Sequence, residues 1–198
     1  MPGAPRAFAA LGALCLAFVG GTADAQLKGD PQRGEAKAAP CAACHGPAGQ
    51  SALPGMPSLA AQPETFLTLQ LILMREGLRD VPAMAPFVKG LSDQEVADLA
   101  AYFARAPLVR EIGARDEGLF GRGAQLSKGM RCGSCHLADY LGQNQMPRLA
   151  GQREDYLFES MKAYRDNRRT GTDTSMSGVL YGVSDADLRA LAHYLARQ

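Results

Sequence analysis

The sequence predicts an all-α protein made of two tandem copies of one domain, preceded by an export segment. Three observations carry this. One short element occurs twice, as Cys41-Ala42-Ala43-Cys44-His45 and as Cys132-Gly133-Ser134-Cys135-His136. The stretches following each copy repeat one another almost to the end of the chain. Apolar residues recur at helical spacing, and alternating strand patterns are absent.

Taken in order, residues 1–25 read as a signal peptide. Arg6 precedes an apolar run from Ala7 to Val19, and Ala23-Asp24-Ala25 fits the small-x-small rule for cleavage after Ala25. The run is shorter than the about 20 apolar residues that span a membrane. Cys15 leaves with this segment, so four of the five cysteines remain, all inside the two motifs. No thiol is spare for a disulfide, a catalytic nucleophile or a sulfur ligand.

The first domain is expected over 26–106, a linker over 107–115 and the second domain over 116–198. Met56-Pro57-Ser58-Leu59-Ala60-Ala61-Gln62 is matched by Met146-Pro147-Arg148-Leu149-Ala150-Gly151-Gln152. Glu64-Thr65-Phe66-Leu67 is matched by Glu154-Asp155-Tyr156-Leu157, and each opens a helix, to about Glu76 and about Asp166. Each repeat then closes on a second helix. Ser92 with Glu95, and Ser184 with Asp187, have the spacing of an N-cap and its reciprocal acid. Val96, Leu99, Ala100 and Phe103 then line one face, as do Leu188, Leu191, Ala192 and Leu195. Such regularity at a nearly constant offset is the mark of duplication.

C-x-x-C-H is the pattern that attaches a c-type haem. On one helical turn the two thiols and the imidazole share a face, so the cysteines Cys41, Cys44, Cys132 and Cys135 can form thioethers to the macrocycle. His45 and His136 then become proximal iron ligands. A zinc site would want the pairs roughly 15–20 residues apart, far closer than they lie. A thioredoxin-like pair would want a strand–helix–strand setting, and plain disulfides would leave the two histidines unexplained. The motifs and the signal together point to the periplasm of a bacterium, with two covalent haems.

Met84 lies 39 residues after His45 and Met176 lies 40 after His136, both read as loop positions before a terminal helix. Methionines are more often core filler. Their matched place in the repeat makes them the expected second axial ligands, since His/Met is a standard ligation of cytochromes c. Met56 and Met146 are assigned to packing. Pro57 and Pro147 are candidates to accept the other imidazole N–H on their carbonyls, with a plain turn as the alternative. Arg75, Arg79, Arg165, Arg168 and Arg169 are each expected to be solvated charges, with pairing to haem propionates as the alternative. His193, opposite Ala101, is expected on an exposed helix face. With three histidines in the chain, bis-histidine ligation of both haems is excluded. A net charge of +1 gives no basic excess for nucleic acid.

On these residues the chain resembles a dihaem cytochrome c of the cytochrome c4 type, over essentially the whole mature sequence. The resemblance implies two class I cytochrome c domains with haems facing each other near a pseudo-twofold interface, and the ligand pairs His45/Met84 and His136/Met176. It implies a carrier, not an enzyme, taking single electrons from a quinol-oxidising complex towards a terminal oxidase through small transient contacts. Loose membrane association is compatible with this. One departure is Ala61 where the second copy has Gly151. The rival readings are a cytochrome subunit of a larger dehydrogenase, such as a sulfur-oxidising flavoprotein, and a dihaem enzyme such as a peroxidase or a thiosulfate-oxidising dehydrogenase, which would need an open sixth position.

Overall fold

A computed structural model describes residues 1, 3, 27–110, 113–169, 171 and 174–198. Residues 4–26, with the predicted apolar run and cleavage point, lie outside the described residues. Among those described, five helices occur twice in the same order. The first set is α1 (Pro31–Lys37), α2 (Ala42–His45), α3 (Glu64–Arg75), α4 (Ala85–Val88) and α5 (Asp93–Arg105). The second is α6 (Glu117–Gly129), α7 (Gly133–His136), α8 (Glu154–Arg165), α9 (Ser175–Leu180) and α10 (Asp185–Ala196). The only extended pairing among the described residues is the isolated bridge between Gln143 and Met146.

The last helix of each repeat begins where local chemistry places it. At α5 the Ser92 hydroxyl accepts from the Glu95 N–H and the Glu95 carboxylate accepts from the Ser92 N–H, a complete capping box. At α10 the Ser184 hydroxyl accepts from the Asp187 N–H. The shorter Asp187 side chain pairs instead with Arg122 on α6.

Helices α1 and α6 are not evident from periodicity, and α6 carries four glycines. Each glycine costs roughly 0.5–1 kcal/mol relative to alanine inside a helix. Asp30 and Asp116 cap the two helices through their side chains. What holds them is the crossing with the last helix of each repeat. A Cβ at Gly34 would lie 2.0 Å from the Asp98 carbonyl oxygen on α5, and one at Gly123 would lie 2.1 Å from that of Ala190 on α10. The helix pairs therefore meet backbone against backbone, and tertiary packing overrides propensity. Two apolar cores result, one around Leu67, Leu99, Ala100 and Phe103, the other around Leu157, Leu180, Leu188 and Leu191.

Between the repeats, residues 107–110 and 113–115 are non-helical. Gln50 Nε2 donates to the Pro107 carbonyl at 3.1 Å, and Arg197 Nη2 donates to that of Ala114 at 2.7 Å.

Candidate haem sites

Each C-x-x-C-H element forms one turn of helix, with Cys41 and Cys132 at the N-cap positions of α2 and α7 and the histidine as the last helical residue. The first cysteine of each motif is half-buried and the second, Cys44 or Cys135, is exposed. None of the four is in a disulfide. Burial pushes the Cys41 and Cys132 thiols up from the usual value. Among the described residues no three His, Cys, Asp or Glu side chains converge as a metal site.

The two histidines are buried and held alike. His45 Nδ1 lies 2.9 Å from the Pro57 carbonyl oxygen, and His136 Nδ1 lies 2.9 Å from that of Pro147. A carbonyl oxygen only accepts, so Nδ1 must carry the proton. Burial lowers both histidine pKa values despite these bonds, which keeps the rings neutral and puts the lone pair on Nε2. In His136 that Nε2 is buried with no hydrogen-bond partner. A buried, unsatisfied acceptor is costly and calls for an explanation. An imidazole turned this way, on the helical turn that holds two cysteines, fits a covalently attached haem iron.

Met84 is the half-buried N-cap residue of α4. Met176, expected in a loop, lies in the first turn of α9 and packs against the second core. Met84 thus keeps the expected place in a turn just before a helix, whereas Met176 has been taken into one. Met56 and Met146 are half-buried beside Pro57 and Pro147.

The arginines divide in three ways. Arg75 donates to the Leu91 carbonyl and pairs with Glu76 and Asp93, and Arg165 donates to the Val183 carbonyl and pairs with Asp166 and Asp185. These two tie the long middle helix of each repeat to the start of its last one, so they are not free solvated charges. Arg168 pairs with Asp166 at the surface. Arg79 and Arg169 approach from different repeats and both donate to Gln70 Oε1, at 2.6 and 3.5 Å. Burial, then repulsion from Arg169, lowers the Arg79 pKa. Burial pushes the neighbouring Tyr156 up, but Arg169 and Arg79 outweigh it and bring it down to about 8.

His193 corrects an expectation. It is 4% exposed, and Ala101 opposite it in the repeat is 1% exposed. Its Nε2 accepts from the Asp116 N–H at 3.0 Å, which leaves Nδ1 to donate to the Glu154 carboxylate at 3.1 Å. Helix α10 is covered by α6 on one side and α8 on the other, so the face that looks free in a one-helix projection is buried. The ring joins those two helices and has no nitrogen left for iron.

The family model described as "Cytochrome c" matches residues 120–198, and that described as "Cytochrome C oxidase, cbb3-type, subunit III" matches residues 30–103. Cytochrome c4 from Pseudomonas aeruginosa is 35% identical to this chain over 190 residues, covering 91% of it and 94% of the relative. The chain belongs to the cytochrome c4 family. The crystal structure of reduced recombinant cytochrome c4 from Pseudomonas stutzeri is similar to it with a TM-score of 0.79 at 32% identity, covering 85% of this chain and 98% of that one. A thiosulfate dehydrogenase electron acceptor from Thiomonas intermedia is 32% identical over 82% of this chain and 80% of its own.

As a cytochrome c4, the protein is an all-α electron-transfer protein whose two motifs fit two covalent c-type haems. The fold also brings together residues that served in the sequence only as markers of the repeat. The amide of Gln62 reaches residue 148 of the second domain, where Nε2 donates to the Arg148 carbonyl at 3.0 Å and Oε1 accepts from its N–H at 2.9 Å. Gln152 does the same to residue 58, at 2.8 Å for both bonds. Arg148, 1% exposed, adds a guanidinium bond to the Ala60 carbonyl across the same boundary. Burial, then repulsion from Arg110, holds its pKa down to about 10. The available signal for the glutamines was a polar residue kept in register in both copies.

Proposed function

We propose that this chain is a periplasmic dihaem carrier, delivered by a signal peptide cut after Ala25, that passes single electrons from a quinol-oxidising complex towards a terminal oxidase. Its domains are 26–106 and 116–198, joined by 107–115. Cys41 and Cys44 hold one haem, and Cys132 and Cys135 hold the other. His45 with Met84, and His136 with Met176, are the axial pairs. The observation that carries this reading is the matched 2.9 Å bond from each histidine Nδ1 to the carbonyl of Pro57 or Pro147, with His136 Nε2 buried and unpartnered.

When bound, each haem supplies an iron that gains and loses one electron, at a relatively high potential where the ligands are imidazole and thioether. The protein's part is to hold the ring nitrogen lone pair towards the iron and to keep water from the imidazole. With a histidine and a methionine on each iron, no coordination position would be open to a substrate, so we assign no chemical transformation to the chain itself. Among the described residues no helix is long and apolar enough to cross a membrane.

A second reading has a specific observation behind it: the 32% identical relative named as a thiosulfate dehydrogenase electron acceptor. On that reading the electron donor is a sulfur-compound dehydrogenase rather than a quinol-oxidising complex.

The test is a redox-titrated optical spectrum with carbon monoxide added to the reduced protein. Two titrating haems, the weak long-wavelength band of methionine-ligated ferric iron, and no response to carbon monoxide are expected. A carbon monoxide response in half of the haem would mean an open position at Met84 or Met176, and the carrier reading would fail.

A further inference from the structure

We propose that Gln152 and Gln62 are positioning residues that act across the domain boundary, each tuning the haem of the other domain through a single peptide group. The inference rests on His45 and His136 being the proximal ligands.

The Pro57 carbonyl and the Ser58 N–H belong to one amide. Its oxygen accepts from His45 Nδ1 at 2.9 Å, and its N–H donates to Gln152 Oε1 at 2.8 Å. In the other direction, the Pro147 carbonyl accepts from His136 Nδ1 at 2.9 Å, and the Arg148 N–H of the same amide donates to Gln62 Oε1 at 2.9 Å. A donor–acceptor chain therefore runs from each histidine, through one peptide plane, to a glutamine of the opposite domain. Hydrogen bonds in series polarise one another in a low-dielectric interior, so an acceptor on the N–H makes the carbonyl a better acceptor for the imidazole. A stronger Nδ1–H bond makes the ring a more basic ligand, which favours the ferric state.

The second amide bond, from glutamine Nε2 to the carbonyl of residue 58 or 148, locks the side chain so that Oε1 keeps its place. Both glutamines are buried, at 4% and 3% exposure. The recognised residue differs between the repeats, serine in one and arginine in the other, and the glutamine does not. That follows from the contact, which uses only backbone atoms of residues 58 and 148. A merely adhesive interface would have no reason to grip, in both directions, the one peptide that faces each histidine.

The experiment uses the full-length holoprotein and measures the midpoint potential of each haem separately, by following domain-assigned haem methyl resonances through a redox titration. Gln152→Leu is expected to raise the potential of the haem on Cys41 and Cys44 more than that of the other. Gln62→Leu is expected to raise that of the haem on Cys132 and Cys135 more. Gln152→Glu retains an acceptor for the Ser58 N–H and should not raise the first haem's potential; a rise as large as that of Gln152→Leu overturns the proposal. Asp155→Ala is the control for a loosened interface. It removes another bond across the boundary, from the Gly55 N–H to Asp155 Oδ2 at 2.9 Å, without touching either peptide.

Equal shifts at both haems, shifts confined to the mutated domain, or the same shifts in Asp155→Ala would each overturn the proposal. Nitrogen-15 spectra of histidine-labelled protein separate this failure from that of the ligand assignment. If His45 and His136 show iron-bound ring nitrogens and the crossed shifts are missing, only this inference falls. If those rings are not iron-bound, both readings fall together.

Discussion

The two domains solve one packing problem with different chemistry. In both, the first helix crosses the last at a glycine, Gly34 against Asp98 and Gly123 against Ala190. The seven-residue α1 offers little apolar surface, and the N-terminal domain compensates with charge. The buried Asp98 carboxylate accepts from the Asp30 N–H at 2.7 Å, from Arg33 Nε and Nη2 at 2.7 and 3.0 Å, and from Gln94 Nε2 at 2.8 Å. The thirteen-residue α6 reaches further and brings Phe120 edge-on to Tyr194, with ring centroids 5.0 Å apart. Tyr140 meets Tyr194 at 5.8 Å and shares a 2.8 Å hydrogen bond with the buried Ser127.

A ring has also changed places between the copies. Tyr140 sits where the first repeat has Gly49, since the Tyr140 carbonyl accepts from the N–H groups of Leu149 and Ala150 as the Gly49 carbonyl does from Leu59 and Ala60. In the N-terminal domain the aromatic comes from the helix instead. A Cβ on Gly49 would lie 2.7 Å from Phe103 Cδ1, and Phe103 packs on Tyr102 at 5.0 Å as Tyr140 packs on Tyr194. The lesson is that the crossing and the filled volume are required, while the side chains that supply them are exchangeable within that volume.

The shared part of the comparison breaks first. Gly34→Ala and Gly123→Ala each press a methyl into the facing backbone oxygen, and each should cost about 3 kcal/mol in urea unfolding, since helix against helix has no flexible side chain to yield. Similar losses in both domains are expected; a harmless alanine at either place would refute backbone-to-backbone contact there.

The unshared part should respond in one domain only. Asp98→Ala leaves the Asp30 N–H without its acceptor and removes the paired carboxylate from Arg33, and should cost about 2 kcal/mol, all of it in the N-terminal domain. The Arg33 guanidinium holds the Asp98 carboxyl well below its ordinary value of 3.8, so its contribution is complete above that pH and is lost as pH falls below it. The stability difference between wild type and Asp98→Ala should therefore shrink below about pH 3.8. A difference that stays constant down to strong acid would show that charge is not what α1 relies on. Tyr140→Phe should cost about 1 kcal/mol in the C-terminal domain through the lost Ser127 bond.

The smallest effect tests the difference between Ala61 and Gly151, at matched places just before Gln62 and Gln152. Ala61 and Gly151 both have positive φ, 54° and 61°. Alanine pays about 1–2 kcal/mol there, against which glycine loses roughly 0.5–1 kcal/mol of chain entropy. Ala61→Gly should therefore stabilise the N-terminal domain by about 0.5 kcal/mol in thermal unfolding. The reverse change, Gly151→Ala, should destabilise, because its Cβ would lie 3.0 Å from Arg110 Cγ in the segment between the repeats.

Much of this was legible in the chain. The C-x-x-C-H turns, the repeat, and helices α3, α5, α8 and α10 follow from spacings of a few residues, which a helix converts directly into shared faces. Helices α1 and α6 were not legible, because the glycines that weaken them locally are what allow the crossing. His193 was misplaced for a related reason: a periodicity argument assigns one buried face, and α10 has neighbours on two.

The sequence by itself determined the two C-x-x-C-H turns, the duplication and the helical class, since each depends on residues near one another along the chain. Only the tertiary structure decided that the peptide after each proline is held at both ends, by a histidine of its own domain and a glutamine of the other. Those partners lie 86 and 94 residues away from the amides they grip. No local pattern encodes contact at that distance, because it exists only once both cores have packed and brought the two domains together.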